Sequence, residues 1–215
     1  MATDEPREVL ILVGSPRRAG NSAALAAAVQ RGAEQAGAHV RMRFIDDFLT
    51  SFLRDCRACR LPTGDCAIDD GFRAVFFDEF LPAAAVVFCS PVYWYGLSAQ
   101  TKAFLDRTFC YYAASHPRSS EVIARMSHKR IGLTLSSEET YPGAVLGIVH
   151  QLQEFARYTH SEFVGSVRGV GNSRAEVVRD PADPLLLAEQ LGRGLFVRKY
   201  SDYRIDSPRS GKVWG

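Results

Sequence analysis

The chain has 215 residues, 47% of them hydrophobic and 11% aromatic, with 26 basic and 24 acidic side chains for a net charge of +2. That is enough apolar chain for the core of one globular domain, the charge balance gives no sign of a nucleic-acid partner, and no segment has signal-peptide or membrane-spanning form, so a cytoplasmic protein is expected, with neither nucleic acid nor membrane as partner. Five cysteines, an odd number with Cys56, Cys59 and Cys66 crowded together, fit a reducing compartment better than a disulfide framework.

In chain order, the first apolar run makes a strand over residues 8–14, and it leads into VGSPRRAGNSAAL, Val13 to Leu25. Gly14, Ser15, Pro16, Arg17, Arg18 and Gly20 form a small turn, and a helix over 22–36 follows, its pattern beginning at about Asn21. A strand that ends in Gly-Ser and opens a helix presents free backbone N–H groups and the positive end of the helix dipole, a site for an anion such as phosphate. The dinucleotide pattern G-x-G-x-x-G fails for lack of its second glycine, and the triphosphate pattern G-x-x-x-x-G-K-[ST] fails because the glycines are one residue too far apart and Asn21 replaces lysine. The turn suits a terminal phosphate monoester, with the hydroxyls of Ser15 and Ser22, the Asn21 amide, backbone N–H groups and Arg17 or Arg18 as donors. The plainer alternative is a polar turn N-capped by Asn21.

HVRMRFI is a second strand ending near Ile45, and the stretch 46–71, rich in Arg, Asp and Cys with Pro62 and Gly64, interrupts the rhythm as an insertion loop. A helix around 72–80 stops at Pro82, and AAAVVFCS is a strand apolar enough to be buried on both faces. A helix over about 97–109, the strand RIGLTLS, a helix near 143–158, the strand SEFVGSVRG and a helix near 183–199 complete a domain spanning 1–200, and residues 201–215, with Arg204, Arg209, Lys212 and Trp214, are a C-terminal extension. Five β-α units with short connections predict an α/β fold: a doubly wound, five-stranded parallel sheet of order 2-1-3-4-5 in a three-layer α/β/α arrangement.

Ligands of such sheets lie beyond the carboxyl ends of the strands where strand order reverses, here between strands one and three. The Gly14–Ser22 turn should therefore meet the loop after VVFCS, which reads SPVYWYGLSAQTKAFLDR. Pro91, Val92, Tyr93, Trp94 and Tyr95 form an apolar and aromatic platform, Gly96 lets a backbone approach, and Ser98 is placed to start the next helix. A phosphate grip beside an aromatic shelf suits a planar ring on a phosphorylated chain. An ordinary buried aromatic pair is the alternative for Tyr93 and Trp94.

With both loops in place, GSPRRAGNS and SPVYWYGLSAQTKAFLDR resemble the phosphate and ring loops of the NAD(P)H-dependent FMN reductase group of flavodoxin-like proteins, especially the branch that includes iron-sulfur flavoproteins, over about residues 8–200. The resemblance implies that Ser15, Arg17, Asn21 and Ser22 hold the FMN phosphate and that Pro91, Val92, Tyr93 and Trp94 contact the isoalloxazine, with Gly96 beside them. Ser136 and Ser137, in the loop SSEETYPG, would border the ring's other side. It implies an FMN-dependent oxidoreductase in which NADH or NADPH delivers hydride to flavin N5 and a small acceptor (a flavin, quinone, azo compound or related electrophile) is reduced. The alternative is an FMN electron carrier or biosynthetic redox partner serving another protein.

In the iron-sulfur branch a four-cysteine motif in the insertion loop carries a cluster. Here Pro62 stands where a further cysteine at C-x-x-C-x-x-C spacing would fall, so an iron-sulfur cluster is not expected, and zinc meets the same shortage because the loop has no histidine. No metal ligands are assigned. Thiol exchange at Cys56 and Cys59, beside Arg54, Arg57 and Arg60, stands against an inert remnant of the motif. The family commonly pairs, and a homodimer is expected in which residues around Tyr111–Pro117 meet the partner near its Trp94 loop.

Overall fold

The computed structural model describes residues 7–54 and 61–199; Cys56, Cys59 and the expected C-terminal extension with its Trp214 lie outside the described residues. In chain order the elements are β1 (Glu8–Val13), α1 (Asn21–Gln35), β2 (His39–Phe44), α2 (Phe72–Val75, continued by a π turn over Phe76–Phe80), β3 (Ala85–Tyr93), β4 (Gly96–Leu97), α3 (Ala99–Tyr112), α4 (Ser119–Met126), β5 (Arg130–Ser137), α5 (Leu146–Tyr158), β6 (Glu162–Val170) and α6 (Pro184–Arg193).

β1 is buried from Val9 to Val13, as a strand covered on both faces must be. Its side chains alternate: Leu10 and Leu12 enter one apolar cluster with Phe72, Phe76, Phe104 and Leu152, while Val9, Ile11 and Val13 enter another with Leu25, Val29, Ala188 and Leu191. These clusters are the two interlayer cores, with α2, α3, α4 and α5 on one face and α1 and α6 on the other. α1 and α6 approach closely because glycines meet: a Cβ on Gly32 would lie 1.9 Å from the Glu189 carbonyl oxygen, and one on Gly192 would lie 2.1 Å from that of Val29.

The main sheet runs β2-β1-β3-β5-β6, every neighbouring pair parallel. This is the expected order 2-1-3-4-5, the fourth and fifth predicted strands being β5 and β6. Differences arise in short elements. β4 is only two residues, folded back antiparallel on the end of β3. α4 is two turns in a stretch to which no element was assigned, buried through Val122 and Met126. The last helix stops at Arg193, capped at Gly194, rather than running to 199.

Two members of the segment expected to meet a partner, Tyr111 and His116, are used inside the subunit, while Ala114, Ser115 and Pro117 are exposed. Tyr111 is fully buried, its ring 4.9 Å from that of Phe76, and His116 is buried with Nε2 3.3 Å from Asp65 Oδ1. Aromatic burial inside the subunit removes both from any intersubunit contact. No helix among the described residues is long and apolar enough to cross a membrane.

Candidate functional site

Gly14 follows β1 directly, and its N–H donates to the Cys89 carbonyl of β3 at 2.8 Å. A Cβ here would lie 1.8 Å from Thr101 Oγ1 and 2.8 Å from Ser98 Oγ. The glycine is therefore required by the start of α3, which crosses the loop at contact distance. Ser98 locks this crossing: its hydroxyl donates to the Gly14 carbonyl at 2.7 Å and accepts the Thr101 N–H at 3.3 Å as the N-cap of α3. Ser90 Oγ in turn accepts the Ser98 N–H at 3.0 Å. Through these bonds the loop after β1 and the hairpin after β3 are held together where strand order reverses.

Between them opens a cleft of about 280 Å³ beyond the carboxyl ends of β1, β3, β5 and β6. One wall is the turn and the start of α1, with Ser15, Arg17, Gly20, Asn21 and Ser22. Gly20 is the N-cap and supplies no side chain, so the first-turn N–H groups of α1 receive no side-chain cap. Pro91, Val92 and Tyr93 form a second wall, and Ser136, Ser137 and Glu138 a third. The turn and β5 meet in a buried hydroxyl pair, Ser22 Oγ to Ser136 Oγ at 2.9 Å.

The two arginines of the turn diverge. Arg18 forms a two-pronged pair with Asp47 and lies over the Phe44 ring at 3.9 Å, and the bond holds the Asp47 carboxyl below its ordinary value. Arg17 remains at the cleft. Cys89, at the end of β3, is fully buried and its thiol is pushed up to about 12 by burial, which leaves it inert.

Nine of the expected site residues thus line one cleft: Ser15, Arg17, Asn21, Ser22, Pro91, Val92, Tyr93, Ser136 and Ser137. Three expectations change. Trp94 does not line it; at 97% exposure it stands at the tip of the β3–β4 turn. Gly96 pairs with Tyr93 in that hairpin outside the cleft lining, and a Cβ there would meet only ordinary contacts, the nearest 3.5 Å away at the Tyr93 carbonyl oxygen, so no other part of the chain requires a glycine here. The Asn21 side chain is also otherwise engaged. Its Nδ2 donates to the carbonyls of Gly171 at 3.0 Å and Ser173 at 3.1 Å, and its Oδ1 accepts the Val177 N–H at 3.1 Å. Both amide hydrogens serve the loop after β6, so Asn21 offers the cleft its backbone N–H.

That loop was missed. Gly171, Asn172, Ser173 and Arg174 form the remaining wall. The signal was available in the sequence, since GNSRAE directly follows the carboxyl end of the last strand, where the rule that places ligands applies to β6 as it does to β1.

Comparison with known proteins agrees with this architecture. A Bacillus subtilis protein with the provisional name NAD(P)H-dependent FMN-containing oxidoreductase YwqN is 22% identical over 173 residues, covering 80% of this chain and 90% of its own. An iron-sulfur flavoprotein of Archaeoglobus fulgidus is 30% identical over 102 residues, covering 46% of this chain and 44% of its own. Among solved structures, an NAD(P)H:quinone oxidoreductase from Methanothermobacter marburgensis superposes with a TM-score of 0.67 at 15% identity, over 91% of this chain and all of that one, a likeness of fold. The model of one family, described as the flavodoxin-like fold, matches residues 7–184, and the chain belongs to that family.

Proposed function

We propose that the chain is an FMN-dependent oxidoreductase that uses NADH or NADPH to reduce a small acceptor such as a flavin, a quinone or an azo compound. The observation that carries the reading is the convergence in one cleft of an uncapped helix N-terminus, the Arg17 side chain and buried hydroxyls with an apolar wall at Pro91–Tyr93. Such donors fit a phosphate monoester, and the wall fits a flat ring beside it. The provisional name of the Bacillus subtilis relative, whose length this chain nearly spans, points the same way.

In this reading Ser15, Arg17 and the first-turn N–H groups of Asn21 and Ser22 bind the phosphate. Pro91, Val92 and Tyr93 pack against the isoalloxazine, and Ser136 and Ser137 flank it. FMN, when bound, takes hydride from the nicotinamide and passes reducing equivalents to the acceptor. The protein positions the ring, shields one face and holds the phosphate. The fully exposed Trp94 and the half-exposed Phe109 and Tyr158 support a homodimer, tested by light scattering at twice the 23.8 kDa chain mass.

The test is a visible spectrum after addition of FMN and desalting, followed by turnover with NADH or NADPH and a quinone in the absence of any other protein. Retained flavin absorbance with multiple turnovers is expected. Colourless protein would overturn the reading; retained flavin without turnover would favour a carrier.

A further inference from the structure

We propose that Arg174 is a second phosphate-binding cation of the cleft and that Asn21 is a positioning residue, holding the loop that carries Arg174 against the first turn of α1. The proposal rests on the FMN reading above and names how that site matches the charge of its ligand.

A phosphate monoester carries close to two negative charges at neutral pH. From the turn it receives one guanidinium, because Arg18 is turned away to Asp47 and only Arg17 lines the cleft. Glu138 lines the same cleft and adds a negative charge. Arg174, on the wall formed by the loop after β6, supplies a second full positive charge beside the partial charge of the α1 N-terminus. Neither Arg17 nor Arg174 has a side-chain hydrogen bond or ion pair among the described residues, whereas Arg168 nearby is bound to the carbonyls of Thr140 and Tyr141.

The loop is built to present that side chain. Its N–H groups at Asn172 and Ser173 both donate to Glu176 Oε2, at 2.8 and 2.7 Å, so they are closed to a ligand. Ala175 takes a left-handed conformation, φ 56°, which turns the chain back for Glu176 to reach them. The charged group that the loop offers an anion is the Arg174 guanidinium. Its position is fixed by Asn21, whose three hydrogen bonds to Gly171, Ser173 and Val177 enclose the segment on both sides of Arg174. Gly171 fits under this clamp because it lacks a Cβ, which would lie 2.8 Å from the Val177 nitrogen and 3.1 Å from Asn21 Nδ2. One side chain therefore couples the loop after β1 to the loop after β6.

The experiment is a double-mutant cycle read as the ratio of FMN to riboflavin affinity, measured by flavin fluorescence quenching in wild type, Arg174→Gln, Asn21→Ala and the double variant. Riboflavin lacks the phosphate, so a purely structural loss weakens both ligands alike. Arg174→Gln should weaken FMN about tenfold, leave riboflavin within about twofold, and flatten the dependence of FMN affinity on salt. Asn21→Ala should lower the same ratio by a similar factor, and should lower it no further once Arg174 is already Gln. If Asn21→Ala does not fold, Asn21→Leu keeps the size and removes the donors without adding charge beside the phosphate, and the same loss of ratio is expected. An unchanged ratio in Arg174→Gln overturns the proposal, and an equal loss from Asn21→Ala in both backgrounds overturns the positioning role. Wild type that binds neither flavin overturns the FMN reading instead. Inorganic phosphate calorimetry then tests Arg174 alone, with binding by wild type that is lost in Arg174→Gln supporting the site and equal behaviour refuting it.

Discussion

Asp70 and Arg107 face each other in the interior, with Oδ2 2.5 Å from Nη1 and side chains only 1% and 2% exposed. Asp70 also accepts the N–H groups of Thr50 at 3.0 Å and Phe72 at 3.2 Å, and the Arg107 guanidinium lies 4.3 Å from the Phe72 ring centroid. Burial alone would raise the Asp70 carboxyl, but the bonds from Arg107 and Thr50 outweigh it and hold it below its ordinary value. The pair fastens the irregular segment before α2 to α3, the helix whose N-cap, Ser98, holds Gly14 at the cleft.

Arg107→Met leaves a buried carboxylate without its partner, at a cost of about 3–5 kcal/mol. The sign of the pH dependence should reverse in this variant. In wild type the lowered Asp70 value gives stability present above the ordinary carboxylate range and lost as pH falls through the folded value. Without Arg107 the buried acid is favoured, so the urea midpoint should rise as pH falls from 7 to 5. Adding Asp70→Asn, which still accepts from Thr50, should recover much of the loss at pH 7.

Gly14→Ala forces a methyl to within 1.8 Å of Thr101 Oγ1, so the loop or α3 must shift. A loss of about 1–3 kcal/mol is expected, with weaker flavin retention because the displaced loop carries Ser15 and Arg17. Thr101→Ala removes the closest atom. Denaturant melts should show the double variant more stable than Gly14→Ala alone.

These contacts separate what could be read from the sequence from what could not. The alternation of strand and helix patterns along the chain predicted the fold order, and the contiguous Gly-Ser turn and the loop after β3 predicted two walls of the cleft, whereas Ser136 and Ser137 were expected only from the family resemblance. Ser98 as a cap was likewise local. Asn21 was assigned to the ligand because its true partners, at Gly171 and Ser173, lie 150 and 152 residues away and leave no local trace. The Asp70–Arg107 pair is invisible for the same reason. Trp94 was misplaced because its direction depends on a two-residue turn, too short to give a periodic signal. α4, only eight residues long, failed for lack of length.

Lys129 sits 3% exposed at the opposite end of the sheet, donating from Nζ to the carbonyls of Ala83 and, at 3.1 Å, Leu81. Burial, with Arg125 nearby, lowers its value from 10.5 to about 7. Between those values the unfolded chain holds a proton that the folded chain has released, so this group makes stability rise with pH from about 7 toward 10.5. Below 7 both states are protonated and the full penalty, of order 5 kcal/mol, applies. Urea midpoints measured from pH 7 to 9 should climb in wild type and climb less in Lys129→Met. Stopping at 9 avoids Tyr111 and Tyr112, which burial pushes above their ordinary value and which give the opposite slope above pH 10. Parallel curves would show that Lys129 is hydrated in solution.

The last prediction concerns the turn beside Tyr93. Val92 pairs with Leu97 and Tyr93 with Gly96, leaving Trp94 and Tyr95 as a two-residue connection, both at positive φ, 48° and 58°. Hairpins of this length favour Asn-Gly because those residues accept positive φ, whereas bulky aromatic residues pay about 1 kcal/mol or more each. Within one subunit Trp94 recovers nothing by burial, being 97% exposed. Tyr95 has a ring contact with Tyr141 at 6.3 Å, and the neighbouring Tyr95 side chain raises the Tyr141 hydroxyl above its ordinary value. Strain kept without compensating burial points to use, and the turn is the tip of the hairpin whose base lines the cleft. Trp94→Asn with Tyr95→Gly should therefore raise the melting temperature, by the equivalent of about 1–2 kcal/mol. FMN retention should hold, since neither residue lines the cleft, while KM for bulky aromatic acceptors rises more than for small ones. A lower melting temperature would mean that the Tyr95–Tyr141 contact outweighs the strain, and unchanged kinetics across acceptors would place the turn outside the path of the acceptor.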